Sequence, residues 1–230
     1  MGECGACMNA DAGNMEPMEW AKFVLRNRNE KGYSRAYNIF MTSARDGDAE
    51  AEYNLGLMYA RGQGVPKDYK AALSWFQKAH DHGNRAATYF LGKMYVTGVG
   101  VEKDSRQAEK LFMKCVDEDV RAQYEVGLIY FKDEDVPRDL ARSAKWMLRA
   151  ANNGHADAQF MIGQFYKAGA GVDKDIGKAV EWLTSAALNR HKGAQILLGN
   201  MYRVGDGVDP DREESDRWYD MADGKTNISR

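Results

Sequence analysis

The chain has 230 residues, 44% hydrophobic and 29% charged, with a formal net charge of -2. That balance suits a folded globular protein rather than a disordered one, and a pI near 6.1 argues against a protein that lives on nucleic-acid phosphates. Three cysteines are too few for a disulfide framework, which favours a reducing compartment, and no apolar run approaches the roughly 20 residues needed to cross a bilayer.

Residues 1–15 read as a flexible N-terminal tail. Met1 to Asn14 has neither the basic start nor the apolar stretch of a secretory signal. The expected location is therefore cytoplasmic, or periplasmic or secreted if a leader was trimmed. Cys4 and Cys7 have C-x-x-C spacing, but a redox pair needs a helix N-terminus in a βαβ setting, which Gly, Ala and Asn neighbours do not supply.

Pro17 to Asn29, with Trp20, Phe23 and Val24, reads as a first amphipathic helix, and Pro17 suits a first helical turn. Ala36, Ile39-Phe40 and Gly47 match Ala72, Trp75-Phe76 and Gly83 at a shift of 36. Residues 16–47 are thus a degenerate helix pair. The basic residues Arg26, Arg28, Lys31 and Arg35 within it read as a solvated helix end.

From residue 48 the repetition is plain. The stretch Ala51 to Tyr59 recurs at Ala87 to Tyr95, Ala122 to Tyr130, Ala158 to Tyr166 and Ala194 to Tyr202, with Gly56, Gly92, Gly127, Gly163 and Gly199 spaced by 36, 35, 36 and 36 residues. A second block starts at Asp68, Asp104, Asp139, Asp175 and Asp211; seven residues on stands Trp75, Leu111, Trp146, Trp182 or Trp218, and eleven on stands Ala79, Cys115, Ala150, Ala186 or Ala222. Spacings of four, seven and eleven share one helical stripe, so each unit is two amphipathic helices, A and B. Gly-x-Gly-Val loops after helix A suit a helix C-terminus, and the Asp that follows suits an N-cap. The small residues of helix A let the helices approach, with Trp and Tyr filling the space between. Five full repeats occupy 48–224, the whole repeat region is 16–224, and 225–230 is a C-terminal tail.

The unit A-x3-LG-x2-Y-x2-G-x-GV-x2-D-x3-A-x2-W-x3-A, followed over Ala36 to Ala222, resembles the Sel-one-like repeat family, relatives of tetratricopeptide repeats. The resemblance implies an all-α fold, an α/α right-handed superhelical solenoid of about six helix pairs with helices A lining a concave face. It also implies an adaptor or scaffold, often bacterial, that binds another protein. Cysteine-rich members linked to β-lactam binding or hydrolysis carry paired cysteines in each repeat. This chain lacks them, and the activity is not carried over.

One repeat departs from the pattern. Its loop reads Asp133-Glu134-Asp135-Val136 where the others have glycines, and the preceding turn is a residue short and reads Asp117-Glu118-Asp119. An altered turn accounts for this; the sharper reading is an acidic edge for a basic partner or a hard cation.

Within helix A, the third, sixth and tenth residues after the alanine vary while their neighbours hold. These are Asn54, Leu57 and Arg61; Phe90, Lys93 and Thr97; Glu125, Leu128 and Lys132; Met161, Gln164 and Ala168; and Leu197, Asn200 and Val204. The offsets share one helical face, and positions free to vary are not specified by stacking. The stripe is the expected partner-binding groove, suited to a peptide or amphipathic helix. The competing reading is that several of its apolar members pack between helices.

Catalytic, cofactor and metal sites are not expected. No Ser-His-Asp set or carboxylate pair has register support, and the Gly-x-Gly loops lack the strand and third glycine of a dinucleotide fingerprint. Cys115 stands in an alanine slot and reads as a small core residue. His155 and His191 occupy the slot of Asp48, Asn84 and Asp119, too far apart to share one ion. With His80 and His82 they read as surface residues. A small-molecule binder or hydrolase using the groove is the alternative, and RNA binding is disfavoured by the charge.

Overall fold

The computed structural model describes residues 15–225, so Cys4 and Cys7 lie outside the described residues. Among those residues every regular element is helical. In chain order the helices are α1 (Pro17–Arg26), α2 (Tyr33–Arg45), α3 (Ala49–Arg61), α4 (Tyr69–Asp81), α5 (Arg85–Thr97) and α6 (Ser105–Cys115), then α7 (Val120–Lys132), α8 (Leu140–Asn152), α9 (Ala156–Ala168), α10 (Ile176–Leu188), α11 (Lys192–Val204) and α12 (Arg212–Ala222). Odd-numbered helices are type A and even-numbered type B, giving the six expected pairs. A single 3-10 turn, Glu30–Gly32, joins α1 to α2.

The chain divides into two compact units inside α6, the first ending at Leu111 and the second starting at Phe112. In the first, α1 to α5 pack each on the next; in the second, α7 to α12 do the same. Fully buried Phe40, Leu55, Met58, Phe76 and Leu91 form the centre of the first unit, and Met147, Ile162, Leu183, Leu198 and Met201 that of the second.

The punctuation works as the spacing implies. Asp68 Oδ1 accepts from the amides of Lys70 (2.9 Å) and Ala71 (3.0 Å), and Asp104, Asp139, Asp175 and Asp211 each cap helix B in the same way, worth about 1 kcal/mol apiece. Gly62, Gly98, Gly169 and Gly205 end helix A with φ of 69, 67, 71 and 73°, a left-handed conformation that favours glycine. Helix α7 ends differently. Its C-cap Asp133 has φ -74 and ψ 144°, extended backbone open to any residue, so no glycine is required there.

The helices of a repeat meet at the glycine of helix A. A Cβ on Gly56 would lie 2.5 Å from the Phe76 ring; on Gly127, 2.9 Å from Met147 Cε; on Gly163, 2.9 Å from Leu183 Cγ; and on Gly199, 3.0 Å from the Tyr219 ring. The side chain seated there is the eighth after the capping Asp, not the tryptophan at the seventh. Trp and Tyr are the expected fillers of the space between neighbouring helices; of the four side chains at this contact only Tyr219 is one of these. One residue is 100° of helix, and that turn carries Trp75 and Trp182 onto an apolar cluster shared between their own helix A and the preceding repeat. Trp75 and Trp146 stay half-buried, with Lys78 and Arg149 over their rings at 4.2 and 5.3 Å. Trp218 alone of the four is buried.

This geometry predicts that Gly56→Ala lowers stability even though alanine is the better helix former by about 1 kcal/mol. Overpacking against Phe76 is expected to dominate, for a net loss of about 1–2 kcal/mol in urea unfolding. A rise in the unfolding midpoint would contradict the close contact.

Candidate partner-binding surface

The variable stripe is graded from packed to open along each A helix. At its first position Asn54 is buried, with Nδ2 donating to the Glu50 carbonyl at 2.8 Å, and Glu125 is buried as well. Phe90 is half-buried and stacks on Phe76 with centroids 5.4 Å apart and planes at 15°. Met161 and Leu197 are half-buried against the clusters around Met147 and Leu198. At the second position Leu57 is buried, Lys93, Leu128 and Gln164 are half-buried, and Asn200 is exposed, its Oδ1 accepting from Tyr219 Oη at 2.8 Å.

The third position is open in every repeat. Arg61, Thr97, Lys132, Ala168 and Val204 are all exposed, Val204 at 70%. The apolar members Leu57, Phe90, Leu128, Met161 and Leu197 all contact apolar clusters within their units. The stripe is therefore half scaffold. Its accessible part is the C-terminal end of each A helix, where Arg61 and Lys132 have no ion-pair partner among the described residues.

The acidic edge is drawn into local bonding. Asp133 Oδ1 accepts from the Asp135 amide at 2.9 Å, Asp117 bonds Arg149 at 2.6 Å, and Asp119 caps α7 while its carboxylate bonds Arg121 at 2.6 Å. Burial alone would raise the Asp119 carboxyl, but Arg121 and the helix amides outweigh it and hold it below its usual range. Glu134 and Asp135 stay exposed. Among the described residues, no three His, Cys, Asp or Glu side chains gather as metal ligands. Cys115 is a buried core residue whose thiol is pushed up to about 11 by burial.

Two sets of polar residues carry structure that the stripe argument passes over. The residue after the helix A alanine is Glu52, Thr88, Gln123, Gln159 or Gln195, and all five are buried. Gln159 donates from Nε2 to the Ala151 carbonyl (3.2 Å) and accepts from Asn189 Nδ2 (2.8 Å); Gln123 does the same with Val116 (2.8 Å) and Asn153 (2.9 Å). In the first unit His82 Nδ1 meets Glu52 Oε2 at 2.7 Å in the same 30-residue register, and His80 Nδ1 meets Thr88 Oγ1 at 2.7 Å. A glutamine repeated at one register, with an asparagine 30 residues later, is the signal that would have revealed this ladder.

The second set corrects the reading of His155 and His191 as surface residues. They are the N-caps of α9 and α11, half-buried, with rings stacked on Tyr124 and Phe160 at 4.4 and 4.3 Å. Helix caps were legible in the Asp and Asn of the equivalent slots, but a ring nitrogen acting as the acceptor was not.

The comparisons with known proteins follow this repeat register. The Sel1 repeat matches residues 49–84, 85–114, 120–155, 156–191 and 193–222, most of the chain. The chain belongs to the Sel1 repeat family. The matches leave out 115–119, the shortened turn with Asp117 to Asp119. A Sel1 repeat protein from Oxalobacter formigenes is 33% identical, with a TM-score of 0.80 over 92% of this chain and 85% of that one. A protective antigen of uropathogenic Escherichia coli strains, with the same repeat fold, is 28% identical at a TM-score of 0.83 over 98% of this chain. This chain spans 50% of that protein's length. The immunity protein Pa5087 from Pseudomonas aeruginosa, at 20% identity and a TM-score of 0.53 over 84% of this chain and 74% of that one, shares the fold. No curated protein matches significantly. No described helix is long and apolar enough to cross a membrane.

The ladder predicts that Asn189→Ala, which leaves buried Gln159 Oε1 without its donor, costs about 1–2 kcal/mol in urea unfolding. Adding Gln159→Leu to that variant should recover part of the loss. Purely additive losses in the double variant would show that the two side chains do not depend on each other.

Proposed function

We propose that this Sel1 repeat chain is a non-catalytic interaction scaffold that holds a peptide or helix of a partner protein on the open C-terminal ends of the A helices within each of its units. One observation carries the reading. Five register-equivalent positions, Arg61, Thr97, Lys132, Ala168 and Val204, are exposed and chemically different, while the alanine ten residues before each is buried in every repeat. Stacking specifies the buried positions, and the open ones are left to recognition. Repeat proteins of this kind characteristically bind other proteins through extended surfaces. Arg61 and Lys132 are cations without an ion-pair partner among the described residues, which suits a partner segment bearing carboxylates, and Val204 adds an apolar contact.

The test is affinity capture from the source lysate with wild type and with the variant Arg61→Glu, Lys132→Glu, Val204→Asp. A protein held by wild type should fall at least tenfold in the variant, whose far-UV circular dichroism stays unchanged, and its capture should weaken with salt as exposed charges are screened. Equal recovery by both chains would remove the helix ends as the reading surface.

A further inference from the structure

We propose that His155 is a proton-operated helix cap: as neutral imidazole it closes the start of α9, and on protonation it releases that helix end and its contact with α7. The five equivalent N-caps of the A helices are Asp48, Asn84, Asp119, His155 and His191. Three accept the helix amide on a side-chain oxygen: Asp48 from Ala51 at 2.8 Å, Asn84 from Ala87 at 2.9 Å and Asp119 from Arg121 at 2.9 Å. The two histidines accept on Nδ1, from Ala158 at 3.3 Å and from Ala194 at 3.0 Å. An accepting Nδ1 puts the ring proton on Nε2. His191 agrees with that tautomer, since its Nε2 lies 3.3 Å from Asp157 Oδ1.

An imidazolium has no lone pair at either nitrogen. Protonated His155 would turn an N–H toward the Ala158 amide and set a cation at the positive end of the helix dipole. The ring must then rotate away, and rotation breaks its stack on Tyr124, where the two planes lie at 19°. Cap and stack are lost together.

The groups facing the ring set the balance. Asp157 stands on its own helix, Tyr124 and Glu125 on α7, and Asp119 at the α7 cap. Burial disfavours the charged ring, the three carboxylates favour it, and burial prevails, so the imidazole sits below its ordinary range. Asp119 is already engaged by Arg121, and burial raises the Tyr124 phenol, which stays neutral. His191 shares the capping geometry, and its Nε2 lies 3.3 Å from Asp157 Oδ1. The sign follows. With the folded pKa below the unfolded value, the unfolded chain binds more protons between the two. Stability is full above about pH 7, falls as pH drops through the unfolded value of about 6.5 toward the folded one, and levels off below it.

Nuclear magnetic resonance of the whole chain tests this through the His155 Cε1–H and the Ala158 amide, titrated from pH 8 to 4.5. Both signals should move together, with a midpoint below 6.5. In parallel, urea unfolding at pH 7.5 and 5.0 compares wild type with His155→Asn, the capping residue the chain itself uses at Asn84. The wild-type unfolding constant should rise between the two pH values by several-fold more than that of His155→Asn, up to about tenfold for each unit of pKa difference. His155→Ala should be weaker than both at pH 7.5 and share the shallower pH response. A His155 midpoint at or above 6.5, an Ala158 amide that ignores it, or equal pH responses in wild type and His155→Asn would overturn the proposal.

Discussion

Each repeat depends on how closely its A and B helices approach, and that distance is set by a side chain that helix A does not have. Gly56, Gly127, Gly163 and Gly199 leave room for Phe76, Met147, Leu183 and Tyr219 to lie against bare backbone. The same closeness lets Ser143 and Ser215 reach the carbonyls of Gly127 and Gly199, each at 2.8 Å. Burial of large side chains at the contact then supplies the stabilisation. Without the glycine contact neither the apolar seat nor the buried hydroxyl bond would form.

Once the pair is fixed, the junction between repeats is set by polar groups. A glutamine in the middle of a B–A–B junction takes a carbonyl from the helix before it and an amide from the end of the helix after it. Both ends of its side chain are satisfied, which a buried amide requires. The first unit fills the slot with Glu52 and Thr88, each bonded to a histidine. Neutral amide pairs hold the junctions of the second unit, and histidine-containing pairs hold those of the first. The two units thus share one framework and differ in how they tie it together.

Helix existence, pairing and turns were legible because they rest on local chemistry. Asp at the start of helix B and glycine at the end of helix A act over three or four residues, and their spacing fixes the helices between them. What the sequence hid depends on helix rotation. Trp75 and Phe76 are adjacent and both apolar, yet one lies half-open across the repeat boundary and the other is fully buried within the repeat. The candidate stripe shows the same limit: variability marked Leu57 and Phe90 as free, though both pack on neighbours, while Arg61 and Lys132 at the helix ends are open. The histidine caps escaped because imidazole is rare in that role, and only the Nδ1 geometry and the stacked rings disclose it.

The register of the junction bonds bears on how the chain reaches this state. Gln123 to Asn153 and Gln159 to Asn189 each span 30 residues, and Lys167 to Asp206 spans 39. Closing a loop of that size costs little more entropy than closing a hairpin, because the cost grows only with the logarithm of length. Helical chains dominated by such short-range contacts fold in microseconds to milliseconds. Within each unit every helix packs on the next, so formation of a repeat depends on its near neighbours rather than on a distant strand or terminus.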